Sequence, residues 1–559
     1  MSEKTLTPQS VAKRYDAGVR FNNGINLYDT VKTNELFFIG KQWEGVQSNG
    51  LPTPVFNFLK RVVLFSVANV STDNLKLHAK PLAAAGSGDG ETLDTLSDIL
   101  NDQFSSIFEF NKMGGTIREF ARNAAVDGDG CTYTYWDPDV ETGQKARGAI
   151  RTEVLMNTQL LFGNPNVRDV QSQPWILIER RLRVKDARRR AKANGARDWE
   201  LIASDTKESG DNFMDNLGGD KVTVLLYLWK DEKTGRVHGY ECTRNNVVKP
   251  AWDLGISLYP ITWMNWDYVQ DSYHGQAMIT GLIPNQIFVN KLFAMSMISL
   301  MTLAYPKILY DKNKVQKWSN RVGAQIGVNG PVDSVAKIMD PATISPQISQ
   351  FIDIAISYTQ KFLGASDVAL GDTRPDNTSA IIALQRAAAT PMEITKQNLL
   401  QSIEDLGRIY MEFMGEYYGK RIVTIRTPDN ANVPLTFDFA TLKKVPCSID
   451  LDAGASSYWS EIAAMQTLDN LLMQGKISTV EYLKRLPAGQ ITDRETLIQT
   501  LQQQELMAQA AQGLPVDGMT AGETATGQEA PTPVQGGGGY GILQRKINET
   551  GEVPKEVSR

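Results

Sequence analysis

Three carboxylates and one guanidinium crowd the segment Gly364-Ala-Ser-Asp-Val-Ala-Leu-Gly-Asp-Thr-Arg-Pro-Asp-Asn-Thr378. Asp367, Asp372 and Asp376 stand against Arg374, so three negative charges less one positive leave a net −2. Gly364, Gly371 and Pro375 interrupt regular structure, and Asn377 to Ser379 offer oxygens to the first amides of the alanine-rich run 379–389. Acids so placed can cap a helix, or present a surface of negative charge. The opposite chemistry sits at Arg180, Arg181, Arg183, Lys185, Arg188, Arg189, Arg190 and Lys192, eight cations interrupted by Asp186. That basic patch suits phosphates or an acidic partner, and it equally suits a solvated helix face, because no aromatic stacking residue or base-reading signature accompanies it.

Enzyme chemistry finds little support. His78, His238 and His274 are the only histidines, and they are far apart, with no HExxH and no compact metal-binding spacing. No Walker A lysine, GxSxG elbow or dinucleotide-binding glycine pattern occurs. Asp127-Gly-Asp-Gly130 lacks the further ligands of a calcium loop and reads as a β-turn. Cys131, Cys242 and Cys447 are an odd, scattered set, neither a disulfide framework nor a zinc site. The expectation is therefore no catalytic residue, no cofactor and no metal.

The elements that must position these residues follow from periodicity. With 559 residues the chain is long enough for several compact modules, and 42% hydrophobic and 22% charged residues with a net charge of −5 predict an ordinary soluble protein and not a general nucleic-acid coat. Helical patterns cover 8–41, 55–70, a stretch from Glu91, 115–126, 285–304, 345–362 and 397–418. Strand patterns cover 75–78, 131–136, 148–161, 175–183, 305–311, 421–426, 435–439 and 448–451, with a hairpin of 221–229 and 236–243 about Asp231-Glu-Lys-Thr-Gly235. Pro391 is expected to kink the helix that begins at Ser379. The apolar run 292–307, rich in methionine, is too short to cross a bilayer and marks a buried or subunit-facing helix, so no membrane span is predicted. From Gly513 the composition turns to glycine, proline, threonine and glutamine, which predicts a disordered tail over 513–559.

The order of these pieces resembles the portal protein of tailed double-stranded DNA bacteriophages. The resemblance spans roughly residues 10 to 510 and is carried by four segments. They are Leu36-Phe-Phe-Ile-Gly-Lys-Gln-Trp-Glu44, the β module leading into Gly275 to Lys291, the loop and helix 371–385, and Leu471-Leu-Met-Gln-Gly-Lys-Ile-Ser-Thr-Val-Glu-Tyr-Leu-Lys-Arg-Leu-Pro487. It implies an α+β ring subunit with long stem, wing and crown helices and a small β-rich clip. By position, residues 1–182 would be the N-terminal part of the wing, 183–209 the first stem helix, 210–268 the clip and 269–305 the second stem helix. The wing would resume over 306–363, with a tunnel loop at 364–378, the kinked wing helix and strands at 379–456, and a crown at 457–512. Gly195 interrupts the first stem helix early, a departure from the pattern.

The resemblance further implies a homo-oligomeric ring, a dodecamer or about that size, at the capsid portal vertex of the virion, assembled in the host cytoplasm. Double-stranded DNA would pass through its channel during packaging and ejection. Terminase large subunit, major capsid and scaffolding proteins, and head-completion or adaptor proteins would be its partners. Asp367, Asp372, Arg374 and Asp376 would then face the DNA, unless that segment is a plain surface loop. Another phage assembly protein, such as a head-tail connector or ejection component, is the alternative, and a nuclease stands third.

Overall fold

The computed structural model describes residues 6–71, 75–82, 90–144, 146–205, 221–304, 308–315, 317, 319, 321, 325–332, 335–338, 347–362, 390–426, 432–445, 447–452, 458–486, 497–498 and 500–501. Two compact units divide the chain, residues 1–460 and 461–559.

The first unit opens with helices α1 (Pro8–Gly24), α2 (Leu27–Ile39) and α3 (Phe58–Val70), followed by strand β1 (Lys76–Pro81) and helices α4 (Gly90–Phe110) and α5 (Met113–Asp127). The helical pattern over 8–41 resolves into two helices because Asn26 takes a left-handed conformation, φ 55°. Thr7 caps α1 through a capping box with Ser10. Next come β2 (Asp129–Asp137), β3 (Ala149–Leu155), β4 (Leu160–Phe162) and β5 (Trp175–Arg183), then α6 (Val184–Ala193) and β6 (Lys221–Lys230), β7 (Val237–Cys242), β8 (Val247–Asp253) and β9 (Ile261–Asn265). The rest of this unit holds α7 (Ile283–Ala304), β10 (Ile308–Tyr310), β11 (Ala336–Ile338), α8 (Gln347–Phe362), α9 (Glu393–Phe413), β12 (Lys420–Arg426), β13 (Asn432–Asp438) and β14 (Cys447–Asp452).

Helices and antiparallel sheets are thus mixed, compatible with the α+β expectation. A five-stranded sheet runs in the order β4-β5-β6-β7-β8, and a three-stranded sheet runs β3-β2-β9. The interior of β6, Val222-Thr-Val-Leu-Leu-Tyr-Leu-Trp229, is buried throughout. Such a run forms where both faces of a sheet are covered. Leu225, Tyr227 and Trp229 pack with Val11 and Tyr15 of α1, whereas Leu226 and Leu228 join the main core. Ala187 and Ala191 of α6 close over Val222, Val224 and Val248. The main core gathers Val62 and Val63 of α3, Phe120 and Ala124 of α5, and Leu399, Tyr410 and Phe413 of α9.

This topology alters two expectations. The strands expected to form a separate small β module do not stand apart. β6 pairs along its length with β5, from Trp175 opposite Trp229 to Arg183 opposite Lys221, and β9 pairs with β2. Of the first stem helix expected over 183–209, the described residues, up to 205, are α-helical from Val184 to Ala193. Gly195 then turns with φ +73°, and a short 3-10 turn follows at Trp199–Leu201. Pro391 lies in a 3-10 turn, Thr390–Met392, that leads into α9. The expected helix from Ser379 to Ala389 lies outside the described residues.

In the second unit, helix α10 (Tyr458–Met473) continues from Glu461, and Gly475 turns the chain with φ +66° before α11 (Thr479–Arg485). Ser478 caps α11 through the Glu481 amide, and Tyr482 donates its hydroxyl hydrogen to Asp469 at 2.6 Å. That contact ties the two helices into a hairpin.

Candidate functional site

Asp367, Asp372, Arg374 and Asp376 lie outside the described residues. The basic patch can be placed side chain by side chain: four of its eight cations are ion-paired within the chain, and two more have another internal partner. Arg180 pairs with Glu153 and lies 5.1 Å from the centroid of the Tyr133 ring. Arg181 pairs with Asp205 and donates to the Thr223 hydroxyl at 2.9 Å. These two arginines belong to β5 and not to a helix, because the strand continues to Arg183 before α6 begins.

On α6, Arg188 donates to the Ile202 carbonyl at 2.9 Å, Arg189 approaches Asp186 at 3.2 Å, and Lys192 lies 5.0 Å from the Trp199 ring centroid. Arg190 reaches Glu241 of β7 at 2.9 Å. The Glu241 side chain is 1% exposed and finds no aligned hydrogen-bond donor, so the guanidinium offsets a charge that burial would otherwise make costly. Arg183 and Lys185 are exposed and have no ion pair among the described residues. They are the members of the cluster left to meet an outside anion.

A second constellation escaped the sequence. Gly128 ends α5 with φ +102°, and a Cβ there would lie 2.8 Å from the Gly275 carbonyl oxygen, so the chain closes tightly and carries Asp129 inward. The fully buried Asp129 carboxylate accepts from Gly275 N, Asn265 Nδ2 and Asn157 Nδ2 at 2.7, 2.7 and 3.1 Å, and His274 Nδ1 lies 2.7 Å from it. His274 Nε2 faces Asn22 Oδ1 at 3.2 Å. A histidine held by a carboxylate is half of a nucleophile-activating triad. Here its second nitrogen is occupied by an asparagine and the ring is 3% exposed, so the pair is a strut joining α1, β2 and β9. Beside it, burial pushes the Asp127 carboxyl up to about 7, against the pull of Arg122 and with Glu35 and Asp129 adding to the rise. With Asp129 and His274 145 positions apart, no sequence spacing could have paired them.

The third feature is a surface one. Asn285 at the start of α7 donates to Thr359 near the end of α8 at 3.1 Å, while β10 and β11 pair just beyond the other ends. The two helices therefore run antiparallel. Helix α7 is predominantly apolar and has no distinct polar face, a pattern that ordinarily marks a helix covered on all sides. One side is covered, since Phe293 stacks on Phe56 and Gln286 donates to the Phe56 carbonyl at 2.7 Å. Elsewhere, Phe288, Met295 and Leu300 are 48%, 56% and 55% exposed, and Phe351 and Tyr358 of α8 are 54% and 58% exposed. Of the two readings open for the methionine-rich run, this exposure favours the subunit-facing one.

Among the described residues no helix is long and apolar enough to cross a membrane, and no group of three or more His, Cys, Asp or Glu side chains could hold a metal ion. No curated protein matches the chain. Residues 230–440, a span that contains α7, β10, β11, α8 and α9, match the family model described as phage P22-like portal protein.

Proposed function

We propose that this chain, a phage portal protein by the match over residues 230–440, forms the ring-shaped channel at a capsid vertex through which double-stranded DNA is packaged and ejected. The observation that carries this reading is the α7–α8 hairpin inside the matched span. A single subunit leaves its apolar surface in water, and a ring of copies removes it. The terminase motor and head-completion proteins dock on the assembled ring, and the virion vertex is where the chain acts.

The regions follow from the same hairpin. α7 and α8 are the two stem helices and the chain between them, with the β10–β11 pair, is the clip. What supports this assignment over 183–305 is connectivity. Residues 221–265 are knitted into sheets with 129–183, whereas 283–362 has the plan of helix, two-stranded hairpin, helix. The helical hairpin of the second unit is the crown. Segment 364–378, which directly follows α8, is the tunnel loop, supported by its net negative charge.

Electron microscopy of the purified chain tests the reading. Rings with a central hole are expected. A monomer, or a closed assembly without a pore, overturns it.

A further inference from the structure

Internal pairing absorbs only one side of the basic stretch. Lys185, Arg189 and Lys192 stand four and three residues apart, so they share one stripe of α6, opposite the face that buries Ala187 and Ala191. Two helical turns separate the first from the last, about 10 Å along the axis. All three are exposed. Among the described residues Lys185 has no ion pair, Arg189 meets Asp186 of its own helix, and Lys192 lies near an aromatic ring. An exposed pair within one helix and a cation near a ring both leave the charge available to a stronger partner. Over 183–202, seven cations against three acids leave a net +4, in a chain whose total is −5.

An apolar residue stands beside these charges. After Gly195 the chain turns back along α6, where Ala196 and Ile202 are buried with Ala187 and Ala191. Arg188 donates to the Ile202 carbonyl and Lys192 lies 5.0 Å from the Trp199 ring centroid, so the short turn Trp199–Leu201 is held against the edge of the stripe. Leu201, between those two anchored residues, is 68% exposed. Cations around an uncovered leucine suit a protein partner better than a nucleic acid. A phosphate backbone has nothing to bury against Leu201, the exposed acids Asp198 and Glu200 repel it, and Trp199 is half-buried and no stacking platform. A protein segment supplies carboxylates and an apolar side chain together.

We propose that Lys185, Arg189, Lys192 and Leu201 form a docking surface for an acidic segment of a partner protein, whose carboxylates meet the stripe while one of its apolar side chains covers Leu201. The surface uses no residue of the α7–α8 hairpin, so it is separate from the one assigned above to ring formation. The inward cations hold it in place. Arg190 on Glu241 fixes α6 to β7 and Arg188 fixes the returning chain to α6, so the outward charges are presented on a rigid element. Docking of this kind weakens with salt, because the charges that meet are solvated beforehand.

Fluorescence anisotropy on the full chain tests the assignment, with a labelled helical peptide that carries glutamates at i, i+4 and i+7 and a leucine beside them. Wild type should bind this peptide at low salt, and K185E/R189E/K192E should weaken binding by about tenfold or more. L201S should weaken it by about threefold or more, and serine in place of the peptide's leucine should remove the difference between wild type and L201S. If the triple variant unfolds, K185E alone decides, with a loss of about threefold expected. No binding by wild type overturns the proposal, and so does equal binding by wild type and the charge variants. An unchanged affinity in L201S, or a DNA duplex that binds more tightly than the peptide, overturns the choice of a protein segment. An assembly that shrinks in the charge variants shows a second copy to be the occupant and overturns it as well. A wild-type chain that binds the peptide and forms no ring overturns the ring reading alone.

Discussion

Asp127 and Asp129 are two residues apart, yet their surroundings give them opposite duties. Asp129 is surrounded by donors and stays a hub for three segments of chain. Asp127 is pushed by burial from 3.8 to about 7, so the folded chain holds a proton that the unfolded chain loses between about pH 4 and pH 7. The unfolded state then binds fewer protons, and stability falls as pH rises through that window. The substitution D127N keeps the size and removes the charge. Urea unfolding should find the variant more stable than the wild type by about 2–4 kcal/mol near pH 8, with a flatter profile between pH 4 and 7. An unchanged slope would show that Asp127 is already ionised in the folded chain.

At the scale of elements, α6 illustrates how a charged helix misleads a reader of sequence. Its period of small residues, Ala187 and Ala191 on one face, is legible and correctly marks the buried side. The cations of 180–192 look like a binding surface only because the partners of three of them, Glu153 of β3, Asp205 and Glu241 of β7, lie outside that segment. Two substitutions separate internal from external duty. R190A removes the ion-pair partner of the buried Glu241, leaving only Lys249 opposite it on β8, and should cost about 1–3 kcal/mol in denaturant unfolding, a value discounted because Arg190 itself is half exposed. K185A should change stability by no more than about 0.5 kcal/mol. The β hairpin over 221–242 was equally legible, since Asp231-Glu-Lys-Thr-Gly235 is strong turn chemistry. That the hairpin joins β5 and is sandwiched by α1 and α6 was not legible, because strand pairing across the fold leaves no local mark.

For the whole molecule, the proposed division into stem and clip rests on the same long-range pairing. The strands over 221–265, where position along the chain put the expected clip, pair with residues 129–183, whereas the exposed helical hairpin lies later. If segment 364–378 lines the channel, its three acids keep DNA from adhering. The triple substitution of Asp367, Asp372 and Asp376 to Asn should leave ring assembly intact and alter packaging yield or DNA retention in the particle. Unchanged packaging would remove the functional role given to those carboxylates.

Local chemistry alone determined much of this protein. The positions of most helices and strands, the turn at Asp231 to Gly235, the early stop of α6 at Gly195 and the apolar character of α7 all depend on neighbours within a few residues. The resemblance to portal proteins, carried by the order of such pieces, agrees with the family match. Only the tertiary structure decided which charges are spent inside the fold, which polar residues meet at Asp129, and that one face of α7 stays uncovered. Each of these depends on contacts between residues far apart in sequence, and a hydrophobic or charged residue reads the same whether its partner lies in its own subunit, in a neighbour or in solvent.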